Sequence, residues 1–236
     1  VHLDKPAGAS LPALRRLLDE ATRKNLVVQL GYMYRYNPAI LLLGECLEKG
    51  WLGEVYEIDA LMGKVVEAES RKGFAKFAGG MMFELGCHLI DLVVGILGRP
   101  HRVSGHARHV LDGAADDLAD NTIALLEYPK AFATIRSSGV DVEGFARRHL
   151  TVCGTAGTFH IQPLDDPKVT VSLDRPRGDL PRGITEIPLA PFTRYVADAA
   201  DMAAVIRGER PSRFTREHDL AVQETILRAS GMPLDQ

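Results

Sequence analysis

Cysteine is scarce in this chain. Cys46, Cys87 and Cys153 are the only three among 236 residues, they lie far apart, and their number is odd. Neither a disulfide framework nor a CxxC metal or redox pair can be built from them, so a reducing compartment is the expectation. An excess of charge is lacking too. Lys and Arg total 28 against 31 Asp and Glu, giving a net charge of -3 and a pI near 6.3. With the two signs interspersed there is no electrostatic footprint for a phosphate backbone, and nucleic acid is not expected as a partner. Long apolar runs are missing as well. The longest stretch, Leu89 to Leu97, is interrupted by Asp91 and falls short of the roughly 20 residues a membrane span needs, so no membrane is expected either. Three further patterns have no match: an HExxH metal motif, a G-x-S-x-G nucleophile elbow and a G-x-G-x-x-G phosphate turn.

What is present is an ordinary globular composition, with 46% hydrophobic and 25% charged residues and enough length to bury a core. Val1-His2-Leu3 reads as the end of a strand. A helix follows over about 11–24, with Ser10 as cap, Pro12 in the first turn and Leu11, Leu14, Leu17 and Leu18 at helical spacing. Leu26 to Tyr32 is a continuous apolar run, expected as a parallel strand buried on both faces. Together these form the tail of a doubly wound unit.

Further along, the patterning predicts a helix over 38–49, a strand over 54–63, a charged irregular loop over 64–77 and a helix over 79–97 closed by Gly98-Arg99-Pro100. Short strand-like runs then follow at 102–110, 122–128, 131–137, 149–152, 158–162, 169–173 and 183–189, and helices over 192–207 and 217–230 close the chain. The fold class expected is α/β plus α+β. Residues 1–33 form a remnant of a doubly wound parallel sheet. Residues 34–236 form a domain with a large, mostly antiparallel open sheet, covered by helices on one face and free on the other for a second copy of the chain.

Three stretches carry a resemblance in order and in spacing. They are Leu3-Asp4-Lys5-Pro6, the run from Gly31 to Pro38 (GYMYRYNP), and the run from Gly79 to Asp91 (GGMMFELGCHLID). They resemble the E-K-P turn, the strand ending near R-x-N-P and the G-G-x-x-x-D-x-G-x-H-x-x-D helix of the Gfo/Idh/MocA family. Cys153 to Thr158 is similar to that family's G-T-x-G hairpin. The resemblance implies an NAD(P)-dependent oxidoreductase acting on a sugar, polyol or related carbohydrate; a homo-oligomer through the free sheet face and a cytoplasmic location are expected alongside it. It also implies that on the order of 100 residues of βαβαβ, at roughly 30 or more per βαβ unit, belong before Lys5. The chain would then be part of a longer parent, and a leader upstream of Val1 stays open.

Glu84, His88 and Asp91 are spaced i, i+4 and i+7, within about 40° of one another on an ideal helix, so they share one line. An imidazole with an ordinary pKa near 6.5 can take a proton from an alcohol or return one to a carbonyl. His88 is the expected acid/base; the plainer reading of its spacing is a half-buried histidine bonded within its own helix. Lys5, held before Pro6 at the carboxyl edge of the sheet where doubly wound folds place ligands, is expected to polarise the substrate oxygen and lie beside nicotinamide. The resemblance gives Glu84 the role of substrate anchor, one methylene longer than the family's Asp. Asp91 would support His88.

Arg35 and Pro6 are expected near the cofactor, NAD or NADP, and Tyr34 at the substrate. Asn37 reads as a helix cap, Tyr36 as packing, and Arg71, Lys72, Lys76 and Tyr195 as remote candidates for substrate contact. No metal is expected, because Cys87 lies off the line of Glu84 and His88 and no distant ligand cluster completes a site. The competing expectation is a non-catalytic relative that keeps the open sheet as a dimerisation or sugar-binding surface.

Overall fold

The computed structural model describes residues 1–113 and 116–235. Its first unit is small. Strand β1 (His2–Leu3) runs parallel to β2 (Gln29–Leu30), and helix α1 (Leu11–Arg23) crosses between them. Ser10 caps α1 by accepting from the Ala13 N–H at 3.3 Å, and Leu11, Leu14, Leu18 and Ala21 form its buried stripe. The expected strand over 26–32 shortens to two residues. Its ladder reaches only as far as its partner strand, and Leu26 is 57% exposed rather than buried on both faces.

A 3₁₀ turn at Met33–Tyr36 leads into α2 (Pro38–Glu48), capped by Asn37 through its Oδ1 and the Ala39 N–H at 2.9 Å. Strand β3 (Val55–Gly63) opens the large sheet. The charged stretch expected as irregular contains a short helix, α3 (Ala68–Phe74). It is held by Arg71, whose buried guanidinium reaches Asp116 at 2.8 Å and Asp120 at 2.9 Å, contacts far along the chain that periodicity cannot register.

The helix expected over 79–97 is in fact two pieces, a π turn at Met82–Gly86 followed by α4 (Cys87–Leu97). Strands β4 (Arg102–Arg108), β5 (Asn121–Glu127) and β6 (Phe132–Ser138), the short helix α5 (Gly144–Arg147), and strands β7 (His149–Gly154), β8 (Gly157–Ile161), β9 (Val169–Leu173) and β10 (Gly183–Ile187) come next. The last two helices are α6 (Val196–Ile206), which begins after Tyr195 at φ 66°, and α7 (Arg216–Ala229).

The eight strands lie in the order β10-β9-β8-β7-β3-β6-β5-β4. Neighbours are antiparallel except β3 and β6, which run parallel. Alternation sends Ile58, Ala60, Met62, Ile135, Val152, Phe159 and Val171 to one buried face, and the π turn, α4 and α7 pack on the part of it formed by β3, β6, β5 and β4. The other face carries a polar cluster, in which Asp59 accepts from Thr134, Arg136 and His149. The expected architecture is therefore present: a small parallel sheet beside a large, mostly antiparallel one with helices on one face.

Candidate active site

The chain leaves β1 through Asp4, whose carboxylate accepts the Lys5 N–H at 2.9 Å, and the Lys5–Pro6 peptide is cis. The Lys5 side chain projects toward the π turn. Its Nζ donates to the Glu84 carbonyl oxygen at 2.7 Å and to Glu84 Oε1 at 3.3 Å, both side chains being about four-fifths buried. Lys5 and Glu84, 79 residues apart in sequence, are thus in direct contact. Pro6 is half-buried beside them.

His88 begins the regular part of the helix and is buried, with its ring edge-on to Tyr34 at 5.2 Å and to Tyr32 at 6.0 Å. Its Nδ1 has no hydrogen-bond partner among the described residues. Burial pushes its pKa down from 6.5 to about 3, the Lys5 cation adds to the fall, and Arg148 and Arg194 contribute, while Asp91 opposes them. The sequence expectation of an ordinary imidazole pKa is therefore corrected: His88 is a neutral imidazole through the working pH range.

The shared line of Glu84, His88 and Asp91 is also corrected, because a wide π turn falls inside the span and the side chains part company. Asp91 does not reach His88. It takes Arg35 Nε at 3.0 and 2.9 Å and Arg35 Nη2 at 2.6 Å, with His218 Nε2 at 3.5 Å. Arg35 also binds Asp219 at 2.9 Å, and its guanidinium lies 3.9 Å from the Phe214 ring centre and 5.0 Å from that of Tyr32. Burial works against its charge, but the two carboxylates hold its pKa above the usual arginine range. Arg35 was expected near the cofactor; the structure sets its Nε and Nη2 on Asp91 and Asp219 inside the core.

Tyr34 is buried against His88, and its hydroxyl donates to Asp165 Oδ1 at 2.6 Å. Asp165 also receives Arg148 Nη1 at 2.8 Å and a guanidinium N–H of Arg194. Arg148 in turn donates to the Gly63 carbonyl at 3.1 Å, and burial lowers its pKa. No local motif marks Asp165, Arg148 or Arg194. They meet only because β7, the turn after β8 and the segment before α6 end at the same place, so the sequence carried no signal for them.

Of the other candidates, Asn37 caps its helix and donates to the Leu164 carbonyl, Tyr36 donates to Asp201, and Arg71 is consumed by its acids. Lys72, Lys76 and Tyr195 are exposed. The Cys87 thiol is buried, with its pKa pushed up to about 12, and donates to the Glu84 carbonyl. Among the described residues, no three His, Cys, Asp or Glu side chains gather as a metal site, and no helix is long and apolar enough to cross a membrane.

Residues 40–160 match the model of the GFO/IDH/MocA C-terminal domain. The chain belongs to the Gfo/Idh/MocA family. Trans-1,2-dihydrobenzene-1,2-diol dehydrogenase of Sus scrofa is 26% identical over 131 residues, which cover 55% of this chain and 38% of that enzyme. The matched segments cover 29% and 38% of the first two curated relatives, so the chain spans only part of their length. Among solved structures, an oxidoreductase from Desulfitobacterium hafniense aligns over 98% of this chain and 69% of its own, with TM-score 0.81 at 19% identity. UDP-N-acetylglucosamine 3-dehydrogenase of Acidithiobacillus ferrooxidans aligns over the same shares with TM-score 0.79 at 18% identity. Family membership makes the chain part of an oxidoreductase lineage, and these structural likenesses support its fold.

Proposed function

We propose that the protein carrying this chain is an NAD(P)-dependent dehydrogenase or reductase acting on a sugar, polyol or related carbohydrate. Residues 1–33 then close the dinucleotide-binding unit, and 34–236 hold substrate and meet a second copy across the open sheet. The carrying observation is the junction of Lys5 with the Glu84–His88 segment, an ammonium and a neutral imidazole brought together from two units.

The residues present suit the nicotinamide end of such a cofactor: a cation and Pro6 at the carboxyl edge of the parallel strands, facing a buried imidazole with an orphaned Nδ1. The pyrophosphate turn is not among these 236 residues. When bound, nicotinamide supplies the hydride acceptor or donor. Lys5 donates a hydrogen bond to the substrate oxygen, which stabilises developing alkoxide charge. His88, kept neutral by burial, accepts the hydroxyl proton of an alcohol or, once charged, returns it to a carbonyl oxygen. Glu84 fixes the direction of Lys5 through one carboxylate oxygen and offers the other to a neighbouring hydroxyl. Tyr34, held by Asp165, walls His88 on one side.

Turnover with NAD+ and NADP+ over a panel of sugars and polyols tests this reading. Lys5→Ala and His88→Ala should each lower kcat by about 100-fold or more, the usual worth of a positioned proton-transfer group. Unchanged turnover in both variants would remove the assignment.

A further inference from the structure

Lys64 stands immediately after β3, between Gly63, whose carbonyl binds Arg148, and the bridge that joins Val65 to Val140. Its ammonium is half-buried and lies 4.9 Å from the centre of the Phe74 ring. Among the described residues it makes no side-chain hydrogen bond and no ion pair, in contrast to the cations around it. Lys5 has Glu84, while Arg148 and Arg194 share Asp165. Asp141, whose N–H donates to the Lys64 carbonyl, has its carboxylate engaged by Arg147 at 3.0 Å.

Four cations, Lys5, Lys64, Arg148 and Arg194, therefore surround two carboxylates, Glu84 and Asp165, beside an imidazole that burial keeps neutral. The balance at the site is positive by two: one charge is left over where Arg148 and Arg194 share Asp165, and the other is on Lys64, the one of the four cations with no hydrogen-bond acceptor among the described residues. With only the Phe74 ring beneath it, a half-buried ammonium that has no hydrogen-bond acceptor stays under-compensated unless a ligand supplies one. Burial lowers the pKa of Lys64, Glu84 opposes that fall, and Lys5 and Arg148 add to it, as expected for a charge held in a positive surrounding.

We propose that Lys64 determines substrate specificity by receiving an anionic group, the carboxylate of an acidic sugar or the phosphate of a sugar phosphate, on the molecule whose reacting carbon lies at Lys5 and His88. This rests on the carbohydrate oxidoreductase reading above and narrows it from carbohydrates in general to anionic ones. Lys5 and Lys64 then divide the labour: one faces the oxygen undergoing chemistry, and the other faces a fixed charge elsewhere on the same molecule. An anion seated there would also offset the positive field that depresses His88, making the imidazole a better proton acceptor when substrate is present.

Calorimetric titration of the purified protein, with NADH present, against glucose, sodium glucuronate and glucose 6-phosphate reads the proposal directly. At low ionic strength, one or both anionic sugars should bind about 10-fold or more tightly than glucose, the usual effect of a charge-assisted hydrogen bond. The preference should weaken with added salt, disappear in Lys64→Met and in Lys64→Gln, and persist in Lys64→Arg. Two polar and apolar replacements guard against a variant that fails to fold, with thermal unfolding as the check. The order of glucuronate and glucose 6-phosphate identifies carboxylate or phosphate as the group received. Equal binding of all three sugars, binding of none, or a preference that survives both neutral substitutions would overturn the proposal. Anion preference without any hydride transfer would instead sink the oxidoreductase reading and leave the anion site standing.

Discussion

Acidification should destabilise this fold through His88, and the structure sets both the sign and the size. The imidazole is buried among Tyr32, Tyr34 and the cationic side chains, with a pKa near 3 in the folded chain against 6.5 in an exposed one. A histidine with a depressed folded value contributes its full stabilisation above pH 6.5. That contribution is lost as pH falls from 6.5 toward 3, because the unfolded chain takes up a proton that the folded chain refuses. At about 1.4 kcal/mol per pH unit, moving from near pH 7 to near pH 5 should cost about 2 kcal/mol from this residue alone.

Urea unfolding of the wild type and His88→Gln at the two pH values isolates the effect. Carboxylates such as Asp91 titrate in both proteins and cancel in the difference. The variant should be less pH-sensitive than the wild type by about 2 kcal/mol over that interval. Parallel losses in the two proteins would refute the claim that His88 is held neutral by its surroundings, and would return it to an ordinary solvated histidine.

Two further outcomes concern the frame around the site. Arg35→Ala leaves Asp91 and Asp219 buried without their cation, so unfolding free energy should fall by about 3–5 kcal/mol. A loss under about 1 kcal/mol in chemical denaturation would mean that the triad is more solvated than its geometry implies. Gly105→Ala would drive a methyl group into the Ala229 carbonyl, where β4 passes close under the end of α7. The backbone must shift to admit it, at about 1–3 kcal/mol, and a thermal midpoint equal to wild type would show that the helix can slide instead.

How much of this was legible beforehand can be argued residue by residue. Pro12 and Ser10 mark the start of α1, and Asn37 with Pro38 the start of α2, because caps and first-turn prolines act within four residues. The strands of the large sheet were legible for the same reason, as alternation and turn residues are local. Lys5 and His88 stood out through motif order. The buried partners of Arg35 were not legible, since a guanidinium near a strand end reads alike whether it greets a ligand or two buried acids.

The sequence by itself determined most of the elements, the sidedness of the sheet and the family. Those depend on periodicity and on residues a few positions apart. Only the tertiary structure decided what each charged group meets: Lys5 with Glu84, Arg35 with Asp91 and Asp219, and Arg148 and Arg194 with Asp165. Electrostatic partners are chosen across separations from 17 to 184 residues. Desolvation, which sets whether His88 is charged, is a property of everything packed around it rather than of its neighbours in the chain. The π turn belongs to the same class, because one wide turn redirects Glu84 away from the line an ideal helix would draw.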